Sequence, residues 1–288
     1  MGSKFSVRRA YRIACASFYQ WVMNPRMIVA ASMIVFIWNF AVSPLVSISR
    51  EMNTPLNIVE PYIAVLNSRT LCLVMPSVYV FLVSDCPRLD KSSQFTLHRV
   101  SKTEWVTGQF LFFVLTAFAF SVLIFLSAIL PNCLHAFAAN GWSTVATKYA
   151  VYYPEKSASF SAQLIKGELY HQIAPYHAAL LSFTLSLLYE ILLGMMLLLF
   201  QIWNLRKYGI ATAIGIIGLG TAFGLFRTKC MWYFPMAHTM VELHYTKYLK
   251  EPVMDMRYSF VYFAVIIALV LTVCMITIKQ TDFIDYQE

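Results

Sequence analysis

The residue with the strongest demand for a chemical explanation is Glu190. It stands in Leu188-Tyr189-Glu190-Ile191, with apolar sequence for most of two turns on either side. An acid in such a run faces a cavity or a partner and not lipid. Arg69 is the partner that spacing selects. It lies 16 residues before Asp85, and Glu190 lies 16 residues before Arg206, so two helices running in the same direction place the charges at one depth. An intramembrane Arg69–Glu190 pair is the expectation. The plainer alternative has Arg69 snorkelling to headgroups while Glu190 is protonated or meets water.

Five of the six histidines, His135, His171, His177, His238 and His244, fall between the apolar runs, in 131–177 and 227–257. His238 and Glu242 are four apart with His244 close by, a spacing that zinc can use. The pattern is not H-E-x-x-H and the histidines belong to separate loops, so no metal is expected. Cys133 and Cys230 end two apolar runs; a disulfide between them is open, with free thiols the simpler expectation. There is no G-x-x-x-x-G-K-[ST], and Gly218-Leu219-Gly220 lies inside an apolar helix rather than after a strand. There is no G-x-S-x-G, and no close carboxylate pair for acid–base work. The chain reads as a non-enzyme without a cofactor of its own, so any energy input comes from another chain.

The elements that position these residues follow from composition. Of 288 residues 59% are hydrophobic and 12% charged, with mean hydropathy +0.62. A soluble domain carries about 25% charged residues. Apolar runs of about 20 residues recur, which marks an all-α polytopic membrane protein. Six spans are expected, near 27–47, 62–84, 106–130, 178–203, 208–226 and 258–278, with Pro76 kinking the second. The whole chain, 1–288, reads as one transmembrane domain. Residues 1–26 form a basic lead with Arg8, Arg9 and Arg12 on one side of a helical wheel and Val7, Ala10, Ile13, Ala14 and Trp21 on the other, an amphipathic helix for the inner interface. Segment 85–105 is a basic hairpin with Arg88, Lys91, Arg99 and Lys102, which belongs in the cytoplasm. Both termini are then cytoplasmic, and 131–177 and 227–257 are extracytoplasmic. Met231-Trp232-Tyr233-Phe234-Pro235-Met236-Ala237-His238 reads as a short helix dipping into the outer interface. The net charge of +8 reflects topology and anionic lipid rather than nucleic acid. In the fifth span Ala211 with Gly215, and Gly220 with Gly224, have small-xxx-small spacing, which suits either packing within the chain or a dimer seam.

Ser84-Asp85-Cys86-Pro87, then Arg99-Val100-Ser101-Lys102-Thr103-Glu104-Trp105, then Gly108-Gln109, is similar to the "S-D-x-P … R-x-S-x-x-x-W-x-x-G-Q" run of ABC-2-type transporter permeases. Trp232-Tyr233-Phe234-Pro235 is similar to the outer re-entrant segment of that family, and the resemblance in order and texture covers essentially the whole chain. It implies that the lead is a connecting helix and that the hairpin, about Arg88 to Glu104, is a coupling helix seated on an ABC ATPase subunit. Contacts to that subunit would come from Arg88, Asp90, Lys91, Arg99, Lys102 and Glu104, with Arg206 and Lys207 in a smaller second contact. Arg69 and Glu190 would border the pathway, and Gly215, Gly220 and Gly224 the dimer seam. ATP and Mg would belong to the partner subunit. The permease would pair with itself or a sibling in the plasma membrane and export an amphipathic, peptide-like or lipid-like substrate. Two departures from the family pattern are the length of 131–177 and the lack of a fused ATPase. The rival expectations are a non-transporting immunity, sensory or scaffold component, and an intramembrane enzyme built on Glu190 and the outer histidines.

Overall fold

The computed structural model describes residues 5–87, 100–134, 136–246 and 252–280. Their regular secondary structure is helical, without a named strand among the described residues; one isolated bridge joins Asn57 and Phe137. The principal helices are α1 (Val7–Val22), α2 (Met27–Met52), α3 (Glu60–Asn67), α4 (Arg69–Val83), α5 (Lys102–Ile129), α6 (Thr144–Tyr152), α7 (Pro175–Ile202), α8 (Arg206–Leu225) and α9 (Met256–Gln280). Five of them, α2, α5, α7, α8 and α9, are long and apolar enough to cross a membrane, and the bent pair α3–α4 makes six if counted as one span. The expected spans thus correspond to elements of the structure, with ends shifted by a few residues, except the second.

That second span is broken. The chain turns by 80° between α3 and α4 at Ser68, whose backbone is extended (φ −74°, ψ 127°). Helix α4 runs on through Pro76, so the bend lies eight residues from where proline places it. The reason is local satisfaction of the backbone. Asn67 Nδ2 donates to the Ile63 carbonyl and to Ser182 Oγ, both at 3.0 Å, and Asn67 Oδ1 accepts the Glu242 amide at 3.2 Å. The Cys72 thiol donates to the Leu66 carbonyl at 2.7 Å. A helix can open at bilayer depth only where such side chains replace its lost partners. Pro76, by contrast, removes a single backbone bond. In α2 a wide turn spans Trp38–Val42 just before Pro44, where the missing proline N–H leaves the Phe40 carbonyl without its usual partner.

Helices α5 and α7 form the centre. Phe112, Phe113 and Phe120 of α5 and Leu193, Met195 and Leu198 of α7 are buried. Gly194 lets the two helices close, since a Cβ there would lie 2.7 Å from Phe113 Cγ. Helix α1 lies against α5 through Ala10, Ile13 and Ala14. At Gly108 a Cβ would stand 2.9 Å from both the Ala10 carbonyl and Ile13 Cβ. In lipid such contacts gain from close packing rather than from exclusion of water.

The bundle has two polar ends. One gathers α1, the start of α2, the ends of α4 and α7, and the starts of α5 and α8. The other holds 53–60, α6, the turn Gly167–Tyr170, and three short helical pieces: Lys229–Tyr233, Pro235–Thr239 and Val241–His244. Glu60 ties this second end together. Its carboxylate accepts from the Ser143 amide (2.7 Å), the Ser143 hydroxyl (2.8 Å) and the Asn57 amide (3.2 Å), while Ser143 Oγ caps α6.

Candidate functional site

At the first end the chain enters and leaves the 88–99 stretch through two fixed points. On the entering side, Asp85 is shared. Arg26 Nη2 approaches its Oδ2 at 2.7 Å, and Arg206 pairs with its Oδ1. Arg206 Nε donates to the Ser84 carbonyl at 3.0 Å, and Arg26 Nη1 to Ser84 Oγ at 2.7 Å. One carboxylate therefore joins the start of α2, the end of α4 and the start of α8. The Arg26 guanidinium also lies 4.9 Å from the Phe81 ring centroid, a cation–π contact.

On the leaving side, Ser101 and Glu104 form a capping box. Ser101 Oγ accepts the Glu104 amide at 3.3 Å, and Glu104 Oε2 accepts the Ser101 amide at 3.0 Å. Such a reciprocal pair satisfies two of the free donors at a helix start. Glu104 Oε1 accepts the Ser6 amide at 2.6 Å and meets Arg9 Nη2 at 3.0 Å. This binds the first turn of α1 to the first turn of α5. Glu104 is fully buried by these contacts. It is not available to a partner, which corrects the expectation for this residue: the same S-x-x-E spacing that puts a charge in the hairpin puts that charge to work as a cap.

Of the other expected contact residues, Arg88, Asp90, Lys91 and Arg99 lie outside the described residues. Lys102 is half-buried, its ammonium 3.4 Å from the Lys279 carbonyl. Arg206 and Lys207 are exposed at the start of α8, and the Arg206 guanidinium is engaged with Asp85.

No family model, curated protein or solved structure matches the chain.

The Arg69–Glu190 pair does not form. Glu190 is buried between α5 and α7, where Ser121 Oγ donates to its Oε2 at 2.9 Å and Ser186 Oγ to its Oε1 at 3.4 Å. Arg69 turns instead toward Glu242, with Nε 3.7 Å from Oε1. Arg69 opens α4, after the break at Ser68, so its spacing from Asp85 is unchanged by the break; equal spacing does not fix which neighbour a side chain faces, and Arg69 faces Glu242 of the 227–257 segment. The nearer partner of Glu242 is Lys166, whose Nζ is 2.6 Å from Oε1. Burial pushes the Glu242 carboxyl up, while the Lys166 ammonium, then Arg69 and Arg227, oppose the rise. Arg227 itself bonds Glu168 at 2.9 Å. Burial also acts on Glu168, but hydrogen bonds and Arg227 outweigh it and hold that carboxyl below its ordinary value.

The glycines of α8 divide. A Cβ on Gly220 would stand 2.7 Å from Met236 Cβ and one on Gly224 3.7 Å from Leu243 Cδ1, so both pack against the chain's own 234–244 segment; around Gly215 nothing lies within 4 Å. Cys133 and Cys230 are free and exposed.

Proposed function

We propose that the chain is the membrane-spanning permease subunit of an ABC exporter, driven by separate ATPase subunits seated on the 88–104 hairpin. The observation that carries the reading is the double anchoring of that hairpin. Its entering limb is tied through Asp85 to α2, α4 and α8, and its leaving limb through Glu104 to α1 and α5. A displacement of residues 88–99 by a cytosolic motor then reaches five helices through two short ionic links, and rigid-body rocking of packed helices is a recurrent way to alternate access.

In this reading α1 lies in the inner interface with Arg8 and Arg12 toward headgroups, both termini are cytoplasmic, and the plasma membrane is the site of action. Arg88, Asp90, Lys91, Arg99 and Lys102 face the motor, with Lys207 alongside, while Arg206 acts by holding Asp85. ATP and Mg stay with the motor. The open strip at Ala211 and Gly215 on α8 offers a close-packing face to a second permease, identical or sibling. An apolar groove of about 510 Å³ between α5 and α7, walled by Val122, Phe125, Leu180 and Phe183, suits the apolar part of an amphipathic, lipid-like or peptide-like cargo.

The test is purification of tagged protein from native membranes in mild detergent. The expected result is a co-purifying ATPase that is lost on combined charge reversal of Arg88, Lys91, Arg99 and Lys102. Protein that stays oligomeric without an ATPase overturns the proposal.

A further inference from the structure

Two histidines that fall on separate short helices converge on one hydroxyl. His238, on Pro235–Thr239, places Nδ1 2.9 Å from Ser259 Oγ, and His244, on Val241–His244, places Nε2 2.7 Å from the same oxygen. Ser259 belongs to the first turns of α9, and all three residues are buried. The far nitrogen of each ring faces a backbone carbonyl: His238 Nε2 lies 2.9 Å from the Trp232 oxygen and His244 Nδ1 3.1 Å from the Met240 oxygen.

A carbonyl only accepts, so each far nitrogen must carry the ring proton. In two neutral rings both nitrogens facing Ser259 are then lone pairs. Serine has one proton to give. One ring is served, and the other presents a lone pair to a serine lone pair within hydrogen-bonding distance. A single added proton removes the conflict. One ring becomes imidazolium and donates to Ser259 Oγ, and Ser259 donates to the other ring. A second proton would put two cations on one oxygen. We infer that His238, Ser259 and His244 form a buried site for one proton, taken up from water and shared between the rings through the serine hydroxyl.

The surroundings set the range of this uptake. His238 is stacked on Tyr262 at 4.1 Å between ring centroids, and both rings contact Trp232. The Tyr262 hydroxyl donates to the Tyr233 carbonyl at 2.9 Å. Asp255, just before α9, is the acid whose charge favours protonation of His244. Glu242 shares the short helix of His244, but its carboxylate goes to Lys166 and Arg69. From α8 the neighbours are the side of Gly220 against Met236 and Phe234, and from α7 Tyr189, through Phe263. Burial lowers both rings, His244 to about 4. The pair is therefore neutral at neutral pH and fills in the acidic range, below an ordinary histidine. When filled, the site fastens the 235–244 segment to α9 by two good hydrogen bonds in place of one.

The experiment is ¹⁵N NMR of histidine-labelled protein in nanodiscs from pH 8 to pH 4, with His238→Asn and His244→Asn used to assign the rings. The ring-nitrogen shifts report both tautomer and charge. The expected wild-type result is far-nitrogen protonation in both rings at pH 8, then one shared step in which both rings change together and take up one proton in total. In Ser259→Ala the step splits and its proton affinity falls by about tenfold or more, one pH unit. Ser259→Thr, which keeps the hydroxyl, retains the shared step. Independent titration of the wild-type rings, one proton on each, or no uptake down to pH 4 overturns the inference, and the wild-type spectra decide this even if Ser259→Ala does not fold.

Discussion

The Glu242 cluster allows a prediction whose sign depends on burial rather than on charge count. The Glu242 side chain is 0% exposed, whereas Lys166 is 21% and Arg69 31% exposed. Removing the acid leaves two cations that can turn toward water. Removing the lysine leaves an acid that cannot. Loss of one member of a buried pair costs about 3–5 kcal/mol when the other stays trapped. Arg69 remains at 3.7 Å, beyond a hydrogen bond but close enough to compensate in part, so Lys166→Met is expected near the lower limit, about 3 kcal/mol. Glu242→Gln keeps the shape and loses one charge-assisted hydrogen bond to cations that regain solvent, about 1 kcal/mol. In the double variant nothing charged is trapped, and the loss returns to near that of Glu242→Gln, a coupling of about 2 kcal/mol. The sign with pH also follows. The folded carboxyl titrates above its unfolded value, so in Lys166→Met the protein is most stable below the unfolded pKa and weakens as pH rises through the folded one. Equilibrium unfolding in a fixed detergent, run for the wild type, both single variants and the double, at pH 5 and 7.5, provides the numbers. Equal losses in the two single variants, or additive losses in the double, would refute the trapped-acid argument.

A double-mutant cycle on Arg69→Gln and Glu190→Gln should be additive within about 0.5 kcal/mol, whereas the cycle on Arg69 and Glu242 should show coupling in the same unfolding assay. Gly194→Ala should cost about 1–3 kcal/mol by driving a methyl into the Phe113 ring. Gly215→Ala, with open space around it, should gain roughly 0.5–1 kcal/mol in the monomer from helix propensity; thermal melts of the two variants compare these directly. Burial holds folded His244 at about 4, so its unfolded form takes up a proton first as the solution is acidified. Stability should then fall from about pH 6.5 toward pH 4, by up to about 1.4 kcal/mol per pH unit for one such proton. Unfolding curves at pH 7, 6 and 5 should lose that part of the slope in His244→Asn.

The long apolar helices are legible because runs of about 20 apolar residues need no distant partner to be read. Within the second span, the break is not. Asn67-Ser68-Arg69 carries no glycine or proline, and the groups that let the helix open there, Ser182 and the Glu242 amide, are 115 and 175 residues away. The Arg69–Glu190 pairing fails for another reason: equal spacing from the helix ends leaves open which neighbour each side chain faces, and Arg69 meets Glu242 while Glu190 accepts from Ser121. Glu104 illustrates a different limit. Its pattern with Ser101 reads equally as a cap and as a surface charge, and only the arrival of Arg9 and the Ser6 amide decides between them. Asp85 is readable as part of a turn, but not as the meeting point of Arg26 and Arg206, since each approaches it from a separate helix. His238 and His244 are visible as a cluster. What they meet is Ser259, a residue with no signal of its own.

The break at Ser68 has a consequence for how the protein is made. At about 1.5 Å per residue the 15 residues of α4 rise roughly 22 Å, short of a hydrocarbon core of roughly 30 Å. During synthesis α3 and α4 emerge long before Ser182 and longer still before Glu242, the two positions that satisfy Asn67. Until then the bend has only its local bonds, Asn67 Nδ2 to the Ile63 carbonyl and the Cys72 thiol to the Leu66 carbonyl, and in lipid the fully wound helix competes with it. The expectation is that the bend is fixed late, when the Glu242 amide arrives to bond Asn67 Oδ1. A ribosome-stalled chain ending before residue 242 should present Arg69 to a membrane-impermeant probe in a register different from that of the finished protein.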